Sequence, residues 1–498
     1  MIPYFSREDV GPILHYLGKM IEGIGVLMFV PFFIGVLNGE WGPSIDFILS
    51  SLFSIALGSV FLFIFREEKD LNWRQGMSVV TLCWIVVMFL GALPLYLSGH
   101  YLSYLDASFE AMSALATTGL VVVNDLDHMS YACNFWRHFM CFIGGQGIIL
   151  VALTFFVRGG SAFKVYVGEA REERIMPNII QTARFIWLVS LTYLVIGSAI
   201  LFSINLWRGF SPGRALFHAI CLFMAGWDTA GFAPQSQNIL YYHSYLIDLA
   251  TAMFCLLGAV NFGVHYAVWT GKPRELLKNY ELKLYVASIL ITFFIVCIGF
   301  KAPLPFPNFI SFFRESFYQL ISAHTGVGYS NIDTHNFSYW SPLAILGLII
   351  AMGLGGSSTS TSGGIKILRI GILLKGIKKE VKIFTSPGAT VVVEKFHHIR
   401  DIIIEDNHIK MAAIITLLYI ALYLAGGMIG VFYGYPFLPA LFESVSAAAN
   451  VGLSMGITSP FMPAGLKLTY IIEMWMGRLE FFSIFVFFSF LLSLKSSE

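Results

Sequence analysis

The chain has 498 residues, of which 57% are hydrophobic and only 12% charged, and its formal net charge is +1. A soluble domain has about 25% charged residues, so this composition excludes a mainly water-exposed chain, and the near-neutral charge gives no sign of a nucleic-acid partner. Apolar runs such as residues 45–65 and 79–97 are long enough to cross a hydrocarbon core of about 30 Å. We therefore expect an all-α polytopic membrane protein, because lipid offers backbone groups no hydrogen-bond partners.

The predicted helices follow a repeated order along the chain. Two plain helices, at about residues 20–38 and 44–65, form an amino-terminal extension. Four units follow, each with a long apolar helix, a shorter glycine-containing stretch and a second long helix; their approximate bounds are 75–158, 184–270, 282–376 and 408–494. With their linkers, the predicted domains are 1–74, 75–183, 184–281, 282–407 and 408–498.

The middle stretch of each unit is too short, and too polar at one end, to span a bilayer alone. These stretches are typical of re-entrant half-helices and lie at about 105–124, 213–234, 312–331 and 437–457. If the amino terminus and the linkers between units are cytoplasmic, most of the 31 Lys and Arg residues fall on that side. The charge distribution therefore predicts a cytoplasmic amino terminus and half-helix loops on the opposite side.

The four short stretches share one spacing. A small residue is followed six positions later by glycine, and an aromatic residue or leucine comes next; the pairs are Ser113 and Gly119, Ala225 and Gly231, Ser322 and Gly328, and Ser446 and Gly452. A cation filter needs backbone carbonyls aimed at the ion, and glycine permits the unusual backbone dihedrals without an obstructing side chain. The alternative is that these glycines are kinks or packing sites.

Unit three has a second candidate glycine, Gly326, although the six-residue spacing selects Gly328. The carboxyl end of each half-helix would point its partial negative charge at the axis and favour a cation. The candidate filter residues are Thr117, Thr118, Gly119, Thr229, Ala230, Gly231, Gly326, Val327, Gly328, Asn450, Val451 and Gly452.

Several motifs carry a family resemblance. They are residues 109–113 (FEAMS) running into Thr117-Thr118-Gly119, residues 450–454 (NVGLS) with Gly456-Ile457-Thr458, residues 363–366 (GGIK) and residues 476–478 (MGR). With these motifs the chain resembles the Trk/Ktr/HKT potassium-transporter family, and most closely its TrkH-like pore subunits, which also have two extra amino-terminal helices. The resemblance extends from about residue 75 to the carboxyl terminus.

This resemblance implies a pseudo-fourfold pore of helix–pore-loop–helix repeats in a multi-pass protein of the inner membrane, with potassium as the transported ligand and no covalent cofactor. Some plant relatives have serine at the first filter glycine and favour sodium, so glycine at all four positions implies a potassium preference. The family also implies a homodimer and a cytoplasmic nucleotide-binding regulatory subunit of the TrkA type. The basic segment 366–410 is a candidate docking surface for that subunit, or alternatively a contact for anionic lipid.

A run of small and hydroxyl residues at 353–364 interrupts an apolar helix of unit three, so it must face protein or water. In the family this position is a gating loop beneath the filter; the alternative is a tight helix crossing. Arg478, predicted to lie mid-helix, is either an electrostatic barrier in the pore wall or a structural partner of an acid such as Glu480 or Glu473. The candidate gating residues are Gly355, Gly356, Gly363, Gly364, Lys366 and Arg478.

Other polar residues near the repeats leave two interpretations each. Glu110 and Glu443, nine residues before their filter glycines, either stabilise the half-helices or attract cations. Asp228 either concentrates cations at the pore mouth or is an ordinary solvated acid. His324 is either a packing residue or a pH sensor.

Two other functions are alternatives to a channel-like pore. A sodium- or proton-coupled symporter remains an alternative. A membrane-embedded enzyme has little support, since the chain contains no HExxH motif. The six cysteines include no CxxC pair and are expected to be buried hydrophobic residues without a metal.

Overall fold

The computed structural model describes residues 10–66, 70–147, 165, 169, 178–300, 308–333, 337, 340–387 and 392–495. Its amino-terminal extension consists of α1 (Val10–Leu27), α2 (Phe29–Leu37) and α3 (Trp41–Ile64). The first helix begins earlier than the expected residue 20, because apolar residues at helical spacing from Ile13 onward are buried. The Ser51 hydroxyl of α3 donates to the Gly25 carbonyl of α1 (2.7 Å), so the two helices pack closely.

Units one and two follow the expected order. Unit one contains α4 (Trp73–Leu97), the half-helix α5 (Tyr104–Leu115) and α6 (Tyr131–Gln146). Unit two contains α7 (Ile179–Trp207), the half-helix α8 (Pro212–Trp227), α9 (Tyr245–Gly258) and α10 (Phe262–Trp269), followed by the short helix α11 (Glu275–Lys278). The expected end of unit one, at residue 158, lies outside the described residues.

Units three and four complete the repeat. Unit three contains α12 (Tyr280–Gly299), the half-helix α13 (Phe309–Thr325), α14 (Pro342–Gly353), the strands β1 (Leu354–Gly355) and β2 (Ile365–Lys366), and α15 (Ile367–Thr385). A hairpin of β3 (Lys395–His398) and β4 (Arg400–Ile403) leads to unit four, which contains α16 (Asp406–Phe432), the half-helix α17 (Phe437–Ala448), α18 (Ala464–Arg478) and α19 (Phe482–Lys495). Strands β1 and β2 are parallel, with Leu354 opposite Ile365, and β3 and β4 are antiparallel, with His398 opposite Arg400.

The half-helices begin where their sequences provide caps. The Ser103 side chain accepts from Asp106 N at the start of α5, Asn308 caps α13 in the same way, and Pro212 occupies the first turn of α8. Their carboxyl ends are buried at the centre of the molecule, whereas helices such as α3 expose apolar side chains on the outside. This arrangement is typical of a protein surrounded by lipid.

Among the described residues, six helices are long and apolar enough to cross a membrane, and up to eight segments qualify if each of two bent pairs is one span. The chain is therefore a multi-pass membrane protein. The expectation of an unbroken second helix in units two and four is wrong: α9 and α10 meet at 98°, and α18 and α19 at 109°. The second bend is possible because Glu480 and Phe481 adopt left-handed backbone conformations (φ 50° and 72°).

Candidate functional site

The end of each half-helix repeats one backbone geometry. The residue two positions before each predicted filter glycine is left-handed, and these residues are Thr117 (φ 54°), Thr229 (φ 53°), Gly326 (φ 75°) and Asn450 (φ 54°). The filter glycines themselves are also left-handed, namely Gly119 (φ 90°), Gly231 (φ 68°), Gly328 (φ 80°) and Gly452 (φ 94°). Gly326 therefore corresponds to Thr117, Thr229 and Asn450, and Gly328 is the equivalent of the other filter glycines.

The small residue at the start of the spacing closes this turn. The carbonyl of Ser113 accepts from Thr118 N (2.8 Å), and the carbonyl of Ala225 accepts from Ala230 N (2.8 Å). Equivalent bonds join Ser322 O to Val327 N (3.0 Å) and Ser446 O to Val451 N (2.8 Å). The six-residue spacing in the sequence thus corresponds to one recurring helix-to-loop turn.

The four loops meet in a closed ring, which we call the glycine ring (Gly119, Gly231, Gly328 and Gly452). A Cβ atom added to Gly119 would collide with the carbonyl oxygen of Ala230, and one added to Gly231 with that of Val327. The same holds for Gly328 with Val451 and for Gly452 with Thr118, which returns to unit one. Each loop therefore packs its glycine against the backbone carbonyl of the next loop, and only glycine fits without displacing that carbonyl.

Polar side chains on three half-helices hold the segment that leaves the ring. Glu110 accepts from Val122 N (2.9 Å), and Arg137 Nε donates to the same buried carboxylate (2.7 Å). Glu443 accepts from Met455 N (2.9 Å) and from Ile457 N (3.1 Å). These contacts favour the structural interpretation of the two glutamates. Gln319, which sequence reasoning missed, occupies the same position in unit three, nine residues before its glycine, and its Nε2 donates to Asn331 Oδ1 (3.0 Å).

An open cavity of about 350 Å³ lies above the ring. Gly119, Gly328 and Gly452 line its floor, and Asp333 contributes the acidic side chain of its wall. We call this cavity the vestibule and its side of the molecule the vestibule face; the side with the β3–β4 hairpin is the hairpin face. The arrangement gives a cation a wide approach to a ring of backbone carbonyls.

The predicted gate lies directly beneath the ring, as residues 356–364 between the paired strands β1 and β2; we call these residues the gate loop. Its Thr361 hydroxyl donates to the Trp227 carbonyl of unit two (3.1 Å) and to the Gly258 carbonyl at the α9–α10 break (2.9 Å). Ser362 Oγ lies 2.9 Å from where a Cβ on Gly326 would be, and Gly363 packs against Asn450 of unit four. The loop thus contacts the base of the filter in three units.

The backbone geometry of the gate loop explains why glycine occupies the predicted gating positions. A Cβ on Gly355 would collide with the Gly363 carbonyl, because the two ends of the gate loop lie side by side there. Gly356 N donates to Ser362 Oγ (2.9 Å), and Gly364 is left-handed (φ 69°). Lys366, at the start of α15, donates from Nζ to the Ser362 carbonyl, so it holds the loop closed on itself.

Arg478 connects the gate loop to unit one. It is the last residue of α18 at the 109° bend, so the expectation of a mid-helix position is wrong, because the chain turns there through two left-handed residues. Its NH1 donates to the Thr361 carbonyl (2.8 Å), and its NH2 donates to the Gly144 carbonyl (2.7 Å). Together with the contacts of Thr361, Ser362 and Gly363, this side chain connects the gate loop to all four units. The cavity beside Arg478 is only about 30 Å³.

The proposed acid partners of Arg478 make other contacts. Glu480 pairs with Arg369, and Glu473 accepts from the Ser444 hydroxyl (2.7 Å). Asp228 is fully buried and accepts from Gln146 Nε2 (2.7 Å), so it is neither solvated nor exposed at the vestibule. His324 is also buried, with its Nε2 hydrogen-bonded to Ser288 Oγ (2.8 Å), which favours the packing interpretation.

Sequence reasoning missed the residue that anchors the other side of the gate loop. Glu281, near the start of α12, is completely buried and accepts from Ser358 N (2.5 Å) and from the Ser358 hydroxyl (3.2 Å). On the hairpin face, His398 Nδ1 lies 3.6 Å from the same carboxylate. In the sequence, Glu281 is an acidic residue in the first turn of an apolar helix. Such a residue commonly stabilises the positive end of the helix dipole, so its position alone does not indicate a contact with the gate loop.

The chain is similar to known cation transporters along nearly its whole length. A family model described as TrkH, cation transport protein, matches residues 43–294 and 280–498. The chain belongs to this family. An uncharacterized cation transporter of Methanocaldococcus jannaschii is 30% identical over 488 residues, which cover 97% of this chain and 96% of that protein.

Two other relatives of the TrkH family match along almost their whole lengths. The Trk system potassium uptake protein TrkG of Escherichia coli is 27% identical to this chain, and the match covers 97% of this chain and 99% of TrkG. TrkH of Vibrio parahaemolyticus is 28% identical, and the match covers 95% of this chain and 97% of that protein. The crystal structure of the potassium transporter TrkH from Vibrio parahaemolyticus superposes with a TM-score of 0.81 over 96% of this chain and 98% of that chain, at 24% identity, and so shows the same fold.

Proposed function

We propose that this chain carries potassium ions into the cell through one channel-like pore, with the glycine ring as its selectivity filter. The observation that supports this most strongly is the closed ring, in which each glycine contacts the next loop's carbonyl. Carbonyl oxygens replace the water of a dehydrating potassium ion. The relatives named as potassium uptake proteins support the choice of ion.

The gate loop is the proposed barrier to ion flow. It lies under the filter and is held by Arg478 and Glu281, and its own backbone is closed by Lys366. An ion leaving the filter would meet both this loop and the positive charge of Arg478. Opening requires the loop to leave its contacts with Trp227 and Gly258.

In the proposed orientation, the protein lies in the inner membrane and its hairpin face is in the cytoplasm. Lysines on α15 and the hairpin make this face basic, among them Lys375, Lys379 and Lys382, which pair with Glu394 and Asp406. Excess Lys and Arg is typical of cytoplasmic loops. On this face we place the docking of a nucleotide-binding regulatory subunit of the TrkA type, and we expect a homodimer.

Ion flux into liposomes tests the proposal. Purified protein is reconstituted with a potassium gradient but equal sodium and pH on both sides, and potassium entry is followed with an ion-selective electrode. We expect flux under these conditions. Flux that appears only with a sodium or proton gradient would instead establish the coupled symporter.

A matched pair of glycine variants serves as the control. Gly452 and Gly434 have nearly the same backbone conformation (φ 94° and 93°), but only Gly452 would place a Cβ against another loop. Gly452→Ala should therefore abolish flux, whereas Gly434→Ala should retain it. Equal flux in the two variants would remove the support for the filter.

A further inference from the structure

A large apolar groove lies on the outside of unit two, away from the proposed pore. Its volume is about 770 Å³, and it is lined by α6, α7 and α8 together with the α1–α2 extension. On α7 the lining residues recur at helical spacing and form one stripe: Arg184, Trp187, Leu188, Leu191 and Leu194. The stripe is about 15 Å long at the rise of an α-helix, so the groove is an elongated slot that follows the membrane-spanning direction.

The groove is polar at one end only. Arg184 is the charged residue among those that line it, and its side chain is exposed. One turn further along α7, the indole Nε1 of Trp187 is buried without a hydrogen-bond partner in the described structure. Because that nitrogen is enclosed by the protein, the exposed guanidinium of Arg184 is the group that offers charge-assisted hydrogen bonds to an oxygen-rich anionic group at this end.

This polar end lies toward the hairpin face. Phe185, next to Arg184, packs edge-on against Tyr266 of α10 (5.0 Å between ring centroids), and Gly263 of α10 contacts Ile399 of the hairpin. Arg and Trp at this level are typical of the membrane–water interface. The anionic group is therefore expected at the lipid headgroup level, with an apolar chain extending into the bilayer.

We propose that this groove binds one anionic phospholipid, with its phosphate at Arg184 and an acyl chain along the α7 stripe. A zwitterionic lipid fits the apolar slot equally well, but its interaction with Arg184 contributes less binding free energy. The opposite wall includes Ile220 and Met224 of the half-helix α8, and Phe142 and Ile143 of α6. A bound acyl chain would therefore pack against the half-helix of unit two and against the end of α6. The Gly144 carbonyl at that end accepts a hydrogen bond from Arg478.

Lipid binding is measured directly by native mass spectrometry of the full-length protein, using phosphatidylglycerol and phosphatidylcholine with identical acyl chains. We expect the wild type to retain phosphatidylglycerol more tightly by about fivefold, the contribution typical of one interfacial cation. Arg184→Gln should remove this preference. Leu191→Trp, which fills the slot, should weaken binding of both lipids.

Lys283 provides the matched control, because it is an exposed cation in the first turn of α12, the corresponding helix of unit three, and is not among the groove residues. Lys283→Gln should leave the preference unchanged. Equal retention of the two lipids by the wild type, or an unchanged preference in Arg184→Gln, would overturn the proposal. Loss of a dimer in Leu191→Trp without any change in lipid binding would also overturn it, since the groove would then be a subunit interface.

Discussion

At the scale of single residues, the filter is defined by where a side chain can and cannot be accommodated. Thr117, Thr229 and Asn450 show that the left-handed position at the end of a half-helix accepts side chains. The position two residues later does not, because the next loop's carbonyl occupies the space. Unit three has glycine at both positions, so it offers a direct comparison within one loop.

Asparagine substitutions at Gly326 and Gly328 should therefore give opposite results. Gly326→Asn reproduces the residue of unit four in a conformation that asparagine tolerates, and the contact that its Cβ would meet first is the Ser362 hydroxyl, which can rotate away, so selective potassium flux in liposomes should persist. Gly328→Asn forces a side chain against the Val451 carbonyl, with an overpacking cost of roughly 1–3 kcal/mol, and flux should be lost. If Gly326→Asn were inactive and Gly328→Asn active, the filter position in unit three would have to be reassigned.

At the scale of elements, the gate loop is held from two sides. Arg478 binds the Thr361 carbonyl from unit four, and Glu281 binds Ser358 from the start of α12. The carboxylate of Glu281 also faces His398 of the hairpin, so the hairpin and the gate loop share one buried anchor. A movement of the hairpin would change the position of that anchor.

Loss of this anchor should favour the open gate. Glu281→Ala removes the acceptor for both the amide and the hydroxyl of Ser358, and single-channel recording should show a higher open probability. Glu281→Gln keeps an acceptor for the amide and should have a smaller effect. Glu380→Ala, at an exposed site on α15, is the control. An open probability equal to that of the wild type in Glu281→Ala would mean that the contact does not hold the gate.

The attachment of the hairpin should depend on pH. His397 hydrogen-bonds Asp401 (2.8 Å) and Glu275 (2.9 Å). Both contacts raise the pKa of the imidazole above its ordinary value of 6.5, and the contact with Asp401 has the larger effect. The stabilisation is fully present below the ordinary pKa and is lost as pH rises through the raised value. Hydrogen exchange of residues 395–403, corrected for intrinsic rates, should therefore become faster with rising pH.

His397→Asn is the control for that measurement, because it removes the titrating group. Its corrected exchange should show no pH dependence in the range where the wild type changes. The same pH dependence in both proteins would assign the effect to another group of this cluster, such as His398 beside Glu281.

At the scale of the whole molecule, the repeat order and the half-helices could be predicted because they depend on local sequence. The Ser113-to-Gly119 spacing reflects one turn closed by its own backbone bonds. The bend after Arg478 could not be predicted, since the two residues that form it in left-handed conformations, Glu480 and Phe481, are neither glycine nor asparagine. Tertiary contacts hold the left-handed pair there: Glu480 pairs with Arg369, and the Phe481 ring packs edge-on against Tyr419 (5.0 Å). Glu281 was missed for the same reason, because its partner lies 77 residues away.

The central claim is that one ring of four glycines selects the ion. Its most direct test is the reversal potential of currents through planar bilayers with potassium on one side and sodium on the other, for the wild type, Gly119→Ser and Gly99→Ser. Gly99 is a left-handed glycine (φ 75°) with open space around it, so it is the matched control. We predict a potassium-selective potential for the wild type and Gly99→Ser, and a shift toward sodium in Gly119→Ser. An unchanged potential in Gly119→Ser would contradict the claim.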